Sequence, residues 1–213
     1  MIKISPSILT ADLANLESEV RSLELSGADM IHIDVMDGVF VPNISIGLPV
    51  VKSLRTKTNM FFDVHIMIVE PEKYAERFLE AGADMLTFHF EATDVPEKIL
   101  DVIHKNGKKA GISISPKTPV EKIYHLLPKC DNVLIMTVEP GFGGQKLIMS
   151  SAQKIVDLRL EIARQGLNTR IEVDGGVNAE NAEMLKQMGA DILVAGSFVF
   201  NAADKKSAIQ SLR

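Results

Sequence analysis

The sequence predicts a closed (β/α)8 barrel, and three observations carry that reading. Short apolar, β-branched runs alternate with longer amphipathic stretches from one end of the chain to the other, the mark of a parallel sheet assembled from βα units. Eight such units in 213 residues favour one barrel, since domains of this type routinely exceed about 200 residues. No Gly-x-Gly-x-x-Gly follows the first strand pattern, so an open dinucleotide-binding sheet lacks its fingerprint. One domain spanning residues 1–213 is expected.

The strand patterns fall at residues 3–8, 30–36, 61–67, 85–90, 109–114, 132–138, 170–174 and 192–196. Between them, stretches such as Leu13 to Leu23 and Pro71 to Ala81 place apolar residues at three- and four-residue steps, as one face of a helix requires. Pro71 and Pro119 suit first helical turns, and Gly27, Gly82, Gly107, Gly166 and Gly189 suit the left-handed stop after a helix. A triplet recurs before the second, fourth and eighth strands: Gly27-Ala-Asp29, Gly82-Ala-Asp84 and Gly189-Ala-Asp191. Gly-Ala-Asp is also common helix-ending chemistry, but a spacing of two units and then four is what an eightfold ring gives.

Composition narrows the partners. A net charge of -5 and a pI near 5.6 provide no basic field for phosphate backbones, so nucleic acid is not expected. Cys130 is the lone cysteine and cannot form an internal disulfide, which fits a reducing compartment. The N-terminal apolar run is too short for a signal peptide, and no segment reaches the length of a membrane span. A cytoplasmic protein without a membrane partner is expected.

In such a barrel the site is built where the strands end. His32 and Asp34 stand two apart in the second strand pattern and leave one face of it. His65 lies near the end of the third pattern and Asp174 closes the seventh. Two imidazoles and two carboxylates form a mixed nitrogen and oxygen donor set suited to Zn²⁺, Fe²⁺, Mn²⁺ or Co²⁺. His89, near the end of the fourth pattern, competes as a ligand, whereas His104 and His125 fall in helix patterns. Ser7, Met36, Met67 and Met136 also sit at strand ends; the methionines are either core filling or a dry wall of the site. Gly141, Phe142, Gly143 and Gly144 follow the sixth strand, Gly175, Gly176 and Val177 the seventh, and Gly196 and Ser197 the eighth. Glycine pairs there let backbone N–H groups approach an anion, so a phosphorylated small molecule is the expected ligand.

The motifs Ser5-Pro-Ser-Ile-Leu9, His32-Ile-Asp-Val-Met-Asp-Gly38, Val41-Pro-Asn43, Asp63-Val-His-Ile-Met67, Met136-Thr-Val-Glu-Pro-Gly-Phe-Gly-Gly-Gln145 and Glu172-Val-Asp-Gly-Gly176 closely resemble the ribulose-phosphate 3-epimerase family. The resemblance runs from Ser5 to Ser197. It implies a (β/α)8 barrel, a metal held by His32, Asp34, His65 and Asp174, and acid/base roles for Asp34 and Asp174. By the same resemblance Ser7 and His65 touch substrate, the three glycine loops surround its phosphate end, and the chain assembles as a homo-oligomer. The family usually has Leu where Ile66 stands and Asn-Pro near Ser115-Pro116, so the loop after the fifth strand is a point of departure.

The implied reaction explains the donor set. Inverting a carbon beside a ketone removes a proton, passes through a planar enediolate and returns a proton to the opposite face. Two carboxylates on opposite faces divide that work, and a Zn²⁺-class metal stabilises the charge on the oxygens as a Lewis acid. The expected reaction is metal-dependent interconversion of D-ribulose 5-phosphate and D-xylulose 5-phosphate in the pentose phosphate pathway. Rivals are 3-epimerisation of a ketohexose 6-phosphate such as D-allulose 6-phosphate, or a non-catalytic sugar-phosphate-binding barrel. Decarboxylating relatives carry Asp-x-Lys-x-x-Asp, and Met36 stands where that lysine belongs.

Overall fold

The computed structural model describes residues 2–213. Eight parallel strands form one sheet: β1 (Lys3–Ser5), β2 (Met30–Met36), β3 (Phe61–Met67), β4 (Met85–His89), β5 (Lys109–Ile114), β6 (Asn132–Met136), β7 (Arg170–Asp174) and β8 (Ile192–Val194). Their order is β1-β8-β7-β6-β5-β4-β3-β2. A parallel bridge between Ser7 and His32 closes the ring, and the His32 N–H donates to Pro6 O at 3.0 Å. The first, fourth, sixth and eighth strands are shorter than the sequence pattern predicts. The β6–β7–β8 ladder stops at the Met136, Asp174 and Val194 register, and the backbone beyond it turns away as loops.

Helices surround the sheet: α1 (Leu16–Leu25), α2 (Leu48–Arg55), α3 (Ala75–Ala81), α4 (Pro96–Lys105), α5 (Met149–Ala152), α6 (Lys154–Arg164), α7 (Ala182–Met188), α8 (Ser197–Phe200) and α9 (Lys205–Ser211). Between β5 and β6 the helical place is taken by a 3-10 helix, Val120–Lys129, with Pro128 inside it; Pro128 has no N–H for an α-helical ladder. Gly82 and Gly189 end α3 and α7 at φ 117° and 116°, a backbone region that costs glycine nothing.

The recurring aspartates have a second task. Asp29 Oδ2 accepts from the Ile4 N–H at 2.9 Å, Asp84 Oδ2 from Phe62 at 3.0 Å, and Asp191 Oδ2 from Ile171 at 2.8 Å. In return each aspartate N–H donates to the carbonyl of the same partner. Asp131 repeats the pattern on Ala110, so one aspartate precedes each even strand and clasps the odd strand beside it. Cations hold the outer sides, with Arg213 on Asp29, Arg55 and Lys108 on Asp84, Lys109 on Asp131, and Arg159 on Asp191. The triplet is therefore both a helix stop and a brace at the bottom of the barrel.

Alternation of side chains along each strand divides the core into two parts. Outward residues such as Ile31, Ile33, Phe62, Val64, Leu86, Phe88, Ile112, Val133 and Val173 pack under the helices in one large apolar cluster; each contributes about 1.5–3 kcal/mol by leaving water. Ile66, the departure from the family pattern, is one of these outward residues. The interior is closed at the bottom by Met30, Met85 and Ile192. Above them the barrel is polar: Ser5, His32, Asp63, Thr87, Ser113, Asn132 and Glu172 are all buried. No helix among the described residues is long and apolar enough to cross a membrane.

Candidate metal centre

His32 and Asp34 both point inward from β2 because they are two residues apart, and the parallel register sets Asp34 beside His65 on β3. Asp174 ends β7 on the far side of the barrel. One donor atom from each of His32, Asp34, His65 and Asp174 lies within 4.8 Å of all the others. Asp34 Oδ1 is 3.3 Å from His32 Nε2 and 3.2 Å from His65 Nδ1, and Asp174 Oδ2 is 4.0 Å from His32 Nε2. A tetrahedral ion with bonds of about 2.0–2.1 Å spaces its ligands by roughly 3.3 Å, so the set has the dimensions of a single ion. His32 Nε2 is buried without a hydrogen-bond partner. That unsatisfied nitrogen, aimed at two carboxylates, fits a metal ligand.

The surroundings fix how the ligands present themselves. His32 Nδ1 lies 2.7 Å from Asp63 Oδ2, so a proton sits on Nδ1 facing that carboxylate, and Nε2 is the nitrogen that a cation would take. Ser5 Oγ donates to the same oxygen at 2.9 Å. Ser7 Oγ donates to Asp34 Oδ2 at 2.5 Å, leaving Oδ1 toward the two imidazoles. Glu172 Oε1 lies 3.5 Å from His32 Nδ1, and Asn132 donates to Glu172 Oε2 at 2.5 Å.

Four carboxyl groups thus crowd around His32, and the protein's own field splits their behaviour. Burial opposes charge on His32, but Asp63 and Asp34 outweigh it and push the imidazole well above its ordinary value. Burial likewise opposes charge on Asp34, and His32 and His65 reverse that effect, holding the carboxyl far below the usual range. His65 is lowered to about 4, chiefly by burial, and is neutral. Asp174 is raised to about 7 by burial and then by the charge of Asp34. Two carboxylates that close to one another keep one proton near neutral pH.

A pocket opens over these groups. Ser7, Asp34 and Asp174 form its floor with Met36, Met67 and Met136, and the three glycine loops form its rim, Gly141 to Gly144, Gly175 to Val177, and Gly196 with Ser197. His32 and His65 are fully buried beneath. Gly176 shows why the rim needs glycine: at φ 69°, an added Cβ would stand 2.4 Å from Leu147 N. No lysine or arginine lines the pocket, so an anion there meets backbone N–H groups and not side-chain cations.

His89 is not in the cluster: its Nε2 faces His65 Nε2 at 2.9 Å, behind the site. His104 and His125 are exposed, as their helical positions predict. Sequence reasoning missed Asp63, Glu172 and Ser5, although Asp63 and Glu172 each precede a ligand by two residues and so share its face. It also missed Thr10, whose Oγ1 has no partner and which lines the pocket; a hydroxyl in the first loop carries no distinguishing signal.

The chain matches the model of the Ribulose-phosphate 3 epimerase family over residues 3–200. It is 48% identical to a ribulose-phosphate 3-epimerase of Bacillus subtilis, covering 100% of this chain and 99% of that one. It is 49% identical to a chloroplastic ribulose-5-phosphate-3-epimerase of Arabidopsis thaliana, covering 100% of this chain and 76% of the relative. Among solved structures, 3-hexulose-6-phosphate synthase from Salmonella typhimurium superposes with a TM-score of 0.69 at 18% identity, over 99% of this chain and 96% of that one. Phosphoribosyl anthranilate isomerase from Thermus thermophilus gives 0.68 at 15% identity, over 99% and 96%; these two likenesses concern the barrel fold. By the family match and the whole-chain identities, the protein belongs to the ribulose-phosphate 3-epimerase family.

Proposed function

We propose that the chain interconverts D-ribulose 5-phosphate and D-xylulose 5-phosphate by two-base proton transfer at carbon 3. The observation that carries the reading is the pair Asp34 and Asp174, whose carboxylate oxygens come within 4.8 Å of one another at the floor of a glycine-rimmed pocket. Names of the whole-length relatives support the substrate.

Asp34, fixed by Ser7, and Asp174, which meets it from β7, supply a base and an acid. One takes the carbon-3 proton and the other returns a proton to the opposite face, work worth about 10²–10⁴-fold in rate. The glycine loops orient the phosphate end, which sets the reacting carbon against the carboxyls. Met36, Met67 and Met136 keep water from the planar intermediate. His32, Asp34, His65 and Asp174 would hold a divalent ion, Zn²⁺ in this reading, with Fe²⁺, Mn²⁺ and Co²⁺ matching the same donors. When bound, such an ion supplies Lewis-acid stabilisation of the negative charge that develops on the substrate oxygens, worth several kcal/mol.

The reading extends to a homo-oligomer, as the family resemblance implies, and to a cytoplasmic protein with no nucleic-acid or membrane partner, in keeping with the acidic charge balance and the single cysteine. A coupled assay on metal-analysed protein, with the pentulose 5-phosphate and D-allulose 6-phosphate side by side, tests the function. Preference for the pentulose phosphate, lost on chelation and restored by Zn²⁺, is the expected result. Turnover of neither sugar by the metal-loaded protein would leave a binding barrel instead.

A further inference from the structure

His65 meets the cluster with Nδ1 and a second histidine with Nε2. The His65 Nε2 to His89 Nε2 separation is 2.9 Å, and two imidazole nitrogens at that distance share one proton. Which ring carries it decides what Nδ1 of His65 can do. A neutral imidazole that binds a cation through Nδ1 must carry its proton on Nε2, and His89 Nε2 must then accept.

Asp34 Oδ1, 3.2 Å from His65 Nδ1, draws that proton to Nδ1 when no cation lies between them, and the opposing pull comes from one residue farther out. His89 Nδ1 lies 3.2 Å from Glu91 Oε2, and a carboxylate only accepts, so the proton of His89 is drawn to Nδ1 and its Nε2 is left as a lone pair. Glu91 is itself anchored: Oε1 accepts from the Ser115 N–H at 2.8 Å and from the Thr118 hydroxyl. Burial opposes its charge, yet His89 and Thr118 hold it down to about 2. The rings are also fixed in orientation. His89 stacks on His65 with centroids 5.0 Å apart and an interplanar angle of 27°, and Phe40 packs against His89 with centroids 4.8 Å apart.

We infer that Glu91 and His89 form a tautomer relay that favours the proton of His65 on Nε2 against the pull of Asp34 and so frees its Nδ1 lone pair for a cation in the cluster. Both are positioning residues for the metal site, and neither is a ligand. For His32 the carboxylate of Asp63 performs this function in one step; for His65 it takes two, because an imidazole stands between carboxylate and ligand. The consequence for metal binding rests on the proposed metal function, while the tautomer itself does not.

Glu91→Gln tests the relay with almost no change of shape. The Ser115 N–H can only donate, so the amide oxygen must face it and the amide NH₂ must face His89 Nδ1. His89 then carries its proton on Nε2, His65 Nε2 becomes the acceptor, and the proton of His65 moves to Nδ1, where it blocks the cluster. Two readouts follow, nitrogen-15 spectra of histidine-labelled, metal-free protein and Zn²⁺ affinity by chelator competition. Expected are a larger Nδ1–H share of His65 in the variant than in the wild type and Zn²⁺ affinity lower by about 100-fold, the upper end of the usual outer-ligand effect. A folded Glu91→Gln protein with unchanged tautomer share and affinity overturns the relay. The same tautomer shift in a protein whose wild type binds no Zn²⁺ would uphold the relay and refute the metal function. Should Glu91→Gln not fold, His89→Phe removes the acceptor from a similar volume. It is expected to raise the Nδ1–H share of His65 and to lower Zn²⁺ affinity about 10-fold, and wild-type values for both would overturn the relay.

Discussion

Replacing Asp174 with Asn separates what this residue does for the reaction from what it costs the fold. Asparagine keeps the shape but has neither a carboxylate to take a proton nor an acid proton to give. Turnover should fall by about 10²–10⁴-fold, the contribution of one positioned acid or base. Stability should move the other way in metal-free protein. The carboxyl is raised from its ordinary 3.8 to about 7 by burial and by Asp34, so it favours the folded state fully only below pH 3.8, and that contribution is lost as pH rises through about 7. The ceiling of the penalty at high pH is about 4 kcal/mol, from three pKa units at 1.36 kcal/mol each. With 17% of the side chain exposed and local relaxation, about half of that is a fair expectation, or roughly 4–8 °C in Tm for a chain of this size. Paired measurements of kcat and of melting at pH 8 and pH 4, all on chelated protein for the melts, check both arms. An inactive variant that melts higher at pH 8 and equal at pH 4 is expected. A variant with near-wild-type turnover, or one destabilised at pH 8, would refute the assignment.

Two other substitutions probe the scaffold and the rim. Asp84→Ala removes the acceptor for the buried Phe62 N–H and the partner of Arg55 and Lys108; about 2–4 kcal/mol should be lost in urea unfolding with kcat of the folded protein unchanged, and a loss below about 0.5 kcal/mol would count against the brace. Gly176→Ala forces a Cβ against Leu147 N at a left-handed φ. Because it distorts the rim and not the carboxyls, it should raise KM for the sugar phosphate at least about 10-fold (about 1.4 kcal/mol) while kcat changes less; an unchanged KM would remove this loop from the phosphate site.

The parts of the site visible in the sequence are those governed by short-range rules. His32 and Asp34 share a face because strand side chains repeat every two residues, and the ends of β3 and β7 marked His65 and Asp174. Hydrophobic alternation placed the strands because their outward residues form the apolar cluster under the helices. What escaped depends on closure. The Gly-Ala-Asp triplets stopped short of revealing Asp131, because the 3-10 helix before it ends in Lys-Cys and not in Gly-Ala, yet its carboxylate meets Ala110 as its counterparts meet their partners. The polar interior was hidden for a related reason. Asp63 and Glu172 lie in strands that read as ordinary apolar runs, and only the ring brings both to His32. His89 looked like a ligand since a strand end and an imidazole are all that a sequence shows; the direction of its Nε2 is set by Glu91 and by β3 beside it.

The claim at the centre is that carbon 3 of a ketopentose phosphate exchanges its proton between Asp34 and Asp174. Proton NMR of D-ribulose 5-phosphate with Zn²⁺-loaded protein in D₂O reads this directly. Appearance of D-xylulose 5-phosphate carrying deuterium at carbon 3, abolished in Asp174→Asn, is the predicted result. Product formed with its original proton still at carbon 3, or exchange at a different carbon, would contradict it.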